Sequence, residues 1–367
     1  MGSNSIIRKA VLACGIAFAG ALVPAAFTTA SAAEIAADKS NDALYADAKA
    51  EGSVVVYTSN VLAGMNAVSA DFMAQYPGIT VEVTRIVGMQ QYQRFAQEVA
   101  ANQNIADIIN LTDKPVLTEL INSGDVARWK VPTFDRFTDE YKVEDGGYAL
   151  TATIPVLIYN ETKVTPEEAD ILRNSWAGVL DPRFKGRFAV QTQKCGLCYV
   201  GVHLFLDPAN PAKLPDNFIE KVAAQEPVVY ADLTNPIDRV IAGEQDFTYW
   251  SWEAIAATKR QSGAPVRFVY PDPTPVFANN YFSVSGHAPH PNAARLYMNW
   301  LASEEGAKSF QKHFNGATTL QGVKDERSFA SEDWYKPVKT EYKPDFKRWG
   351  ENYVSDMEKW IDAMSKK

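Results

Sequence analysis

Cysteine and histidine are scarce in this chain, with three and four copies in 367 residues. The histidines, His203, His287, His290 and His313, form no zinc-ligand spacing. No Gly-x-Ser-x-Gly elbow, phosphate loop or dinucleotide fingerprint occurs. These absences remove the usual signatures of zinc, nucleotide and serine-hydrolase chemistry, although a triad assembled in space leaves no such trace. Basic charge is also in deficit, with 36 Lys and Arg against 44 Asp and Glu and a net charge of −8. An acidic body argues against nucleic acid as a partner. Past residue 23 no segment is apolar enough to span a bilayer.

The one long apolar run lies at the start. Arg8 and Lys9 precede apolar residues 10–23, and Ala30-Ser31-Ala32 fits the small-x-small cleavage rule. Residues 1–33 are therefore expected to be a signal peptide, cut after Ala32 or Ala33. Cys14 sits inside the apolar run behind Leu12, which argues against a lipidated cysteine. The expected product is an exported, periplasmic protein. Only Cys195 and Cys198 then remain, and in an oxidising compartment such a close pair reads as a disulfide.

What is present is an alternation of short strands and helices. Residues 53–58 hold Val54-Val55-Val56-Tyr57, a continuous apolar run suited to a strand buried on both faces of a parallel sheet. Helical spacing follows over 65–76, a strand over 79–83, a helix over 89–103, a strand over 106–111 and a helix over 115–123. This rhythm implies α/β architecture. Residues 148–159 read as one extended segment, which Pro155 confines to an edge or a crossing. A second series begins near Phe188, a return crossing is expected over 281–285, and helices over 291–303 and 304–314. A last helix is expected over 352–364, with Val354, Met357, Trp360, Ile361 and Met364 on one face.

Several short stretches occur in an ordered series: Gly52-Ser53-Val54-Val55-Val56-Tyr57-Thr58-Ser59, Tyr76-Pro77-Gly78, Tyr159-Asn160, Trp176-Ala177-Gly178-Val179-Leu180-Asp181-Pro182, Ile241-Ala242-Gly243-Glu244, His290-Pro291-Asn292-Ala293-Ala294 and Leu301-Ala302-Ser303-Glu304-Glu305-Gly306. In this order and spacing the chain resembles a type II periplasmic solute-binding protein of an ABC importer, and more narrowly the ferric-iron-binding branch. The resemblance implies two α/β lobes joined by two crossing strands, a small-molecule ligand in the cleft, and an inner-membrane permease as partner. The expected lobes are 34–152 plus 279–328 and 153–278 plus 329–367. A monomeric binder without a cofactor is expected rather than an enzyme.

In open α/β sheets ligands lie beyond the carboxyl ends of strands. Ser59 and Asn60 end the first strand, Arg85 the second, and Thr112 and Asp113 the third. Arg85 suits a carboxylate or phosphate; Asp113 can instead cap the helix that follows. Gln193 precedes the cysteine pair, and Asn279, Asn280 and Tyr281 stand at the return crossing, either touching ligand or satisfying hinge backbone. The iron-binding branch carries a tyrosine pair where this chain has Glu253-Ala254, and Asn60 is a poor iron ligand. Trp250 and Trp252 flank Ser251, so alternation sends both to one side, while one or both can instead pack in the core. With Tyr249 also present at least one is expected in the core, and Trp252 is the one assigned to the cleft. These features favour a small organic anion, including an aromatic one. Ferric iron held partly by Glu253 and Tyr249 is the alternative, and an exported enzyme on a related fold the third reading.

Overall fold

The computed structural model describes residues 41–195, 197–278 and 280–365, with only the backbone of Leu197. The expected signal peptide and Asn279 lie outside the described residues. The first series contains α1 (Asn41–Glu51), β1 (Ser53–Thr58), α2 (Leu62–Gln75), β2 (Thr80–Arg85), α3 (Met89–Ala100), β3 (Ile108–Leu111), α4 (Lys114–Ser123), β4 (Lys142–Val143) and β5 (Gly147–Tyr148). The crossing region supplies β6 (Thr151–Ala152) and β7 (Pro155–Asn160). Then come α5 (Pro166–Asn174), β8 (Phe188–Gln191), α6 (Val200–Phe205), α7 (Phe218–Ala224), β9 (Val228–Tyr230), α8 (Asn235–Ile241), β10 (Phe247–Trp252), α9 (Glu253–Gln261), β11 (Val266–Val269) and β12 (Thr274–Pro275). The chain returns through β13 (Tyr281–Val284), α10 (Pro291–Leu301), α11 (Glu304–Phe314) and β14 (Ala317–Thr318), and ends with β15 (Glu341–Tyr342) and α12 (Phe346–Ser365).

Two mixed sheets result, ordered β2-β1-β3-β13-β5-β4 and β11-β7-β10-β8-β9. In the first, β1 runs parallel to β2 and β3, while β13 returns antiparallel to β3. In the second, β8 is parallel to β9 and β10, and β7 is antiparallel to β10 and β11. Short pairs β14-β6 and β12-β15 complete the strands. The fold is the type II binding-protein architecture, two α/β lobes joined by crossing strands.

β1 fulfils its sequence pattern: Val54, Val56, Tyr57 and Thr58 are buried between its two parallel neighbours. One apolar core, running from Leu44 to Leu320, surrounds the first sheet. The second sheet is covered on both faces. On β7, Leu157 and Tyr159 join a core with Trp176, Phe188 and Trp360, whereas Val156 and Ile158 join another with Val240, Phe268 and Phe329. That division is the period-two alternation of a strand.

Two expectations change. Residues 148–159 are three strands rather than one, and β7 lies inside its sheet. Pro155 is tolerated because it is the first residue of β7, paired with Trp252 at the end of β10. On α12, Met357, Trp360 and Met364 are buried, but Val354 is exposed and Ile361 only partly covered. The buried stripe begins late on this helix.

At the amino end of β1, buried Asp107 ties three segments together. Its Oδ2 accepts from Val55 N at 2.8 Å and contacts His290 Nδ1 at 2.9 Å, and its Oδ1 accepts from His290 N at 2.7 Å. His290 Nε2 lies 3.1 Å from Ser53 Oγ. Although the residue types match a hydrolytic triad, the group joins the amino end of β1 to the start of α10, at the opposite end of the strand from Ser59 and Asn60.

Candidate functional site

The carboxyl end of β1 opens onto a carboxamide cluster. Thr58 Oγ1 donates to Asn110 Oδ1 at 3.0 Å, and Ser59 Oγ lies 3.3 Å from that oxygen and 3.1 Å from Asn280 Oδ1. Asn280 Nδ2 reaches Asn60 Oδ1 at 3.5 Å. Arg85 Nε donates to the Asn60 carbonyl at 3.1 Å, and the rest of this exposed side chain has no hydrogen-bond partner among the described residues. Register explains the meeting: Thr58 pairs with Arg85 across β1 and β2, and Asn110 with Phe282 across β3 and β13. Ser59, Asn60, Arg85 and Asn280 are thus one group.

A cavity of about 190 Å³ lies against this group. Asn60, Asn280, Phe314 and Asn315 border it from the first lobe, and Trp252 and Ala254 from the second. Thr151 and Thr153 close it along the first crossing segment. A larger groove of about 540 Å³ runs along α11, lined by charged residues including Asp71, Lys308, Lys312 and Glu326. It holds no strand end, and the smaller cavity is the one that fits the rule for open sheets.

Glu253 also lines the cavity, with one oxygen of its carboxylate already engaged. Oε1 accepts from Arg327 Nη1 at 2.5 Å and from the Tyr270 hydroxyl. Arg327 in turn donates Nε and Nη2 to Asp325 at 2.8 Å each. Both Glu253 and Arg327 are buried. Burial pushes the Glu253 carboxyl above its usual range, against the pull of Arg327, whose guanidinium stays charged. Only Oε1 is held in this way, by a residue 74 positions away; Oε2 has no hydrogen-bond partner among the described residues.

Trp250, expected with Trp252 on one side and among the ligand-binding residues, needs correction, whereas the expectation of one tryptophan in the core agrees with the burial. The register of β10 against β7 shifts between Thr248 and Ser251, and Trp250 takes φ +55°. This bulge breaks the alternation that sends Trp250 and Trp252 to one side. Trp250 is fully buried against Phe205 and Trp360, with ring centroids 5.5 and 5.0 Å away. Trp252 stays partly exposed and faces the cavity. Tyr249 is also buried in the core, its hydroxyl donating to Trp176 O at 2.8 Å.

Tyr281 belongs to the first-lobe core. Its hydroxyl sits 3.4 Å from Glu140 O, and burial, reinforced by Glu140, pushes its pKa up to about 12. Thr112 and Asp113 are exposed outside the cavity lining; Asp113 Oδ1 caps α4 by accepting from Val116 N at 3.0 Å. Gln193 Oε1 accepts from Leu233 N at 2.9 Å and fastens one loop to another. Cys195 and Cys198 form a disulfide just beyond β8.

Sequence reading missed Thr151, Thr153, Phe310, Phe314 and Asn315 at the cavity. Phe310 and Phe314 look like ordinary core positions of α11. Asn315-Gly316 carries the only local signal, a turn pair closing a helix.

Two α/β lobes, crossing strands and a cavity between the strand ends define a two-lobe solute-binding fold. The chain belongs to the bacterial extracellular solute-binding protein family, whose model matches residues 67–339. No curated protein matches it in sequence. Among solved structures it is similar to the Trichodesmium IdiA (FutA) protein in complex with iron and citrate, with 17% identity, 86% of this chain and 100% of that chain covered, and a TM-score of 0.64. It is similar to the substrate-binding protein of an ABC transporter from Agrobacterium tumefaciens, with 20% identity, 85% and 94% covered, and a TM-score of 0.61. It is also similar to AfuA from Actinobacillus pleuropneumoniae with fructose-6-phosphate bound, with 18% identity, 86% and 99% covered, and a TM-score of 0.57. At these identities the likeness is one of fold.

Proposed function

We propose that this protein is the extracytoplasmic substrate-binding component of an ABC importer, capturing a small organic anion between its lobes and delivering it to an inner-membrane permease. It acts in the periplasm as a monomer after loss of residues 1–33. Its lobes comprise 34–152 plus 279–328 and 153–278 plus 329–367. The observation that carries this reading is the cavity itself, where Asn60 and Asn280 of one lobe face Trp252 of the other. Carboxamides beside an aromatic face suit an organic molecule with polar groups on a planar or apolar body. Arg85 at the rim supplies positive charge. α2 starts two residues after Asn60 and α3 four residues after Arg85, and neither has a side-chain cap, so their free N–H groups also favour an anion.

Ferric iron is the rival reading, because proteins of similar fold include iron-bound HitA from Pseudomonas aeruginosa and the Trichodesmium protein in complex with iron and citrate. The burial of Tyr249 weighs against it, and the bonds of Arg327 and Tyr270 to Glu253 Oε1 leave at most one oxygen of that residue for a metal. A thermal-shift series with benzoate, citrate, D-gluconate and ferric citrate separates the two, since a ligand of the folded state raises apparent stability. The organic-anion reading expects stabilisation by an iron-free anion. Stabilisation by iron alone, with a visible iron–tyrosinate band, overturns it.

A further inference from the structure

Asn315 combines three observations. It closes α11 in the left-handed region at φ +50°, and its side chain is buried at 2% exposure. Its Nδ2 donates across to the second lobe, to Thr258 Oγ1 at 3.3 Å and Gln261 Oε1 at 3.0 Å, both on α9. Its Oδ1 is buried without a hydrogen-bond partner among the described residues, while the residue lines the cavity. Buried acceptors are rarely left unpaired, because the water they lose must be replaced. The two donated bonds fix the orientation of the amide, so the oxygen is held ready for a donor.

The remaining lining shows which donor fits. Asn60 and Asn280 engage each other only at 3.5 Å, and the nearby walls are Trp252, Phe310 and Phe314. The one charged residue in the lining, Glu253, is paired with Arg327. The inner cavity therefore offers amide groups and aromatic faces, while the exposed cation, Arg85, is joined to the Asn60 backbone at the rim.

We infer that Asn315 selects a hydroxy acid, accepting a hydrogen bond from a hydroxyl on the inner end of the anion while the acid group stays on the Arg85 side. This rests on the organic-anion reading above. Because the same amide bonds to α9, hydroxyl recognition is coupled to contact between the lobes. Asn315 is a specificity residue for the ligand, with no part in any reaction.

Calorimetric binding of matched pairs tests this: para-hydroxybenzoate against benzoate, and D-gluconate against hexanoate. In the unmodified protein the hydroxylated member of at least one pair should bind about tenfold more tightly, the worth of one good buried hydrogen bond. Asn315→Gly deletes the amide at a backbone conformation that glycine adopts freely, so folding is retained and the preference should vanish. Thr258→Val with Gln261→Leu removes the two bonds that orient the amide and should reduce the preference while weakening both members of the pair; an undiminished preference overturns the coupling to α9. Equal binding within both pairs overturns the inference and leaves the organic-anion reading standing, as does a preference that survives Asn315→Gly. Binding of none of the four anions overturns that reading and the inference with it.

Discussion

Replacing Arg327 with methionine tests the reasoning about Glu253 most severely. The guanidinium is buried, bonded to Glu253 Oε1 at 2.5 Å and to both oxygens of Asp325 at 2.8 Å. Methionine has similar length and no charge, so cavity formation is minor and electrostatics dominate. Breaking a buried ion pair from one side costs about 3–5 kcal/mol, because the remaining carboxylate is left uncompensated. Arg327→Met should lose about that much in urea unfolding at neutral pH. Glu253→Gln with Arg327→Met removes both charges and should recover most of the loss. The pH dependence gives a second handle. Without Arg327 the Glu253 carboxyl, already raised by burial, titrates higher in the fold than in the unfolded chain. A folded pKa above the unfolded one means that the native state binds the proton more tightly, so the single variant gains stability as pH falls toward the ordinary carboxylate range. A loss below about 1 kcal/mol, the range of an exposed pair, would refute the argument. So would a double variant no more stable than the single one, since Glu253 would then not depend on its partner.

Other outcomes follow from the same geometry. Burial of His203, with the Arg348 charge beside it, lowers its pKa from 6.5 to about 4. The unfolded chain therefore takes up a proton that the fold resists, and stability drops by about 3 kcal/mol as pH falls from 6.5 to 4; acid unfolding of His203→Gln should lack this drop. Trp250→Ala should cost about 3–5 kcal/mol in chemical denaturation, as expected for emptying a core site. Trp252→Ala should leave stability within about 1 kcal/mol, the scale of a surface change, and weaken ligand binding instead. Thiol labelling of unreduced protein should find Cys195 and Cys198 unreactive, and their replacement by serine should cost no more than about 2 kcal/mol because the closed loop is so short.

The fold was largely legible because it depends on local pattern. The valine run of β1, the helical spacing of α2 and Asp113 before α4 each determine an element from neighbouring residues, and each element forms where its pattern lies. The grouping of Ser59, Asn60 and Arg85 was legible for the same reason, since they end strands that pair in register. Trp250 was not, because one bulge in β10 reverses the face to which it points. Glu253 could be placed but its state could not, since Arg327 reaches it from a distant segment of chain. Asn315 was hidden in the same way: a helix cap in sequence becomes a cavity wall only after two lobes meet.

An organic anion is proposed to occupy the cavity between the lobes. Native mass spectrometry of the protein purified from the periplasm, run beside Trp252→Ala, tests it directly. The account predicts a mass excess of one small organic anion on the unmodified protein, lost on denaturation and diminished in the variant. A mass excess of iron, or a retained ligand indifferent to Trp252, would contradict it.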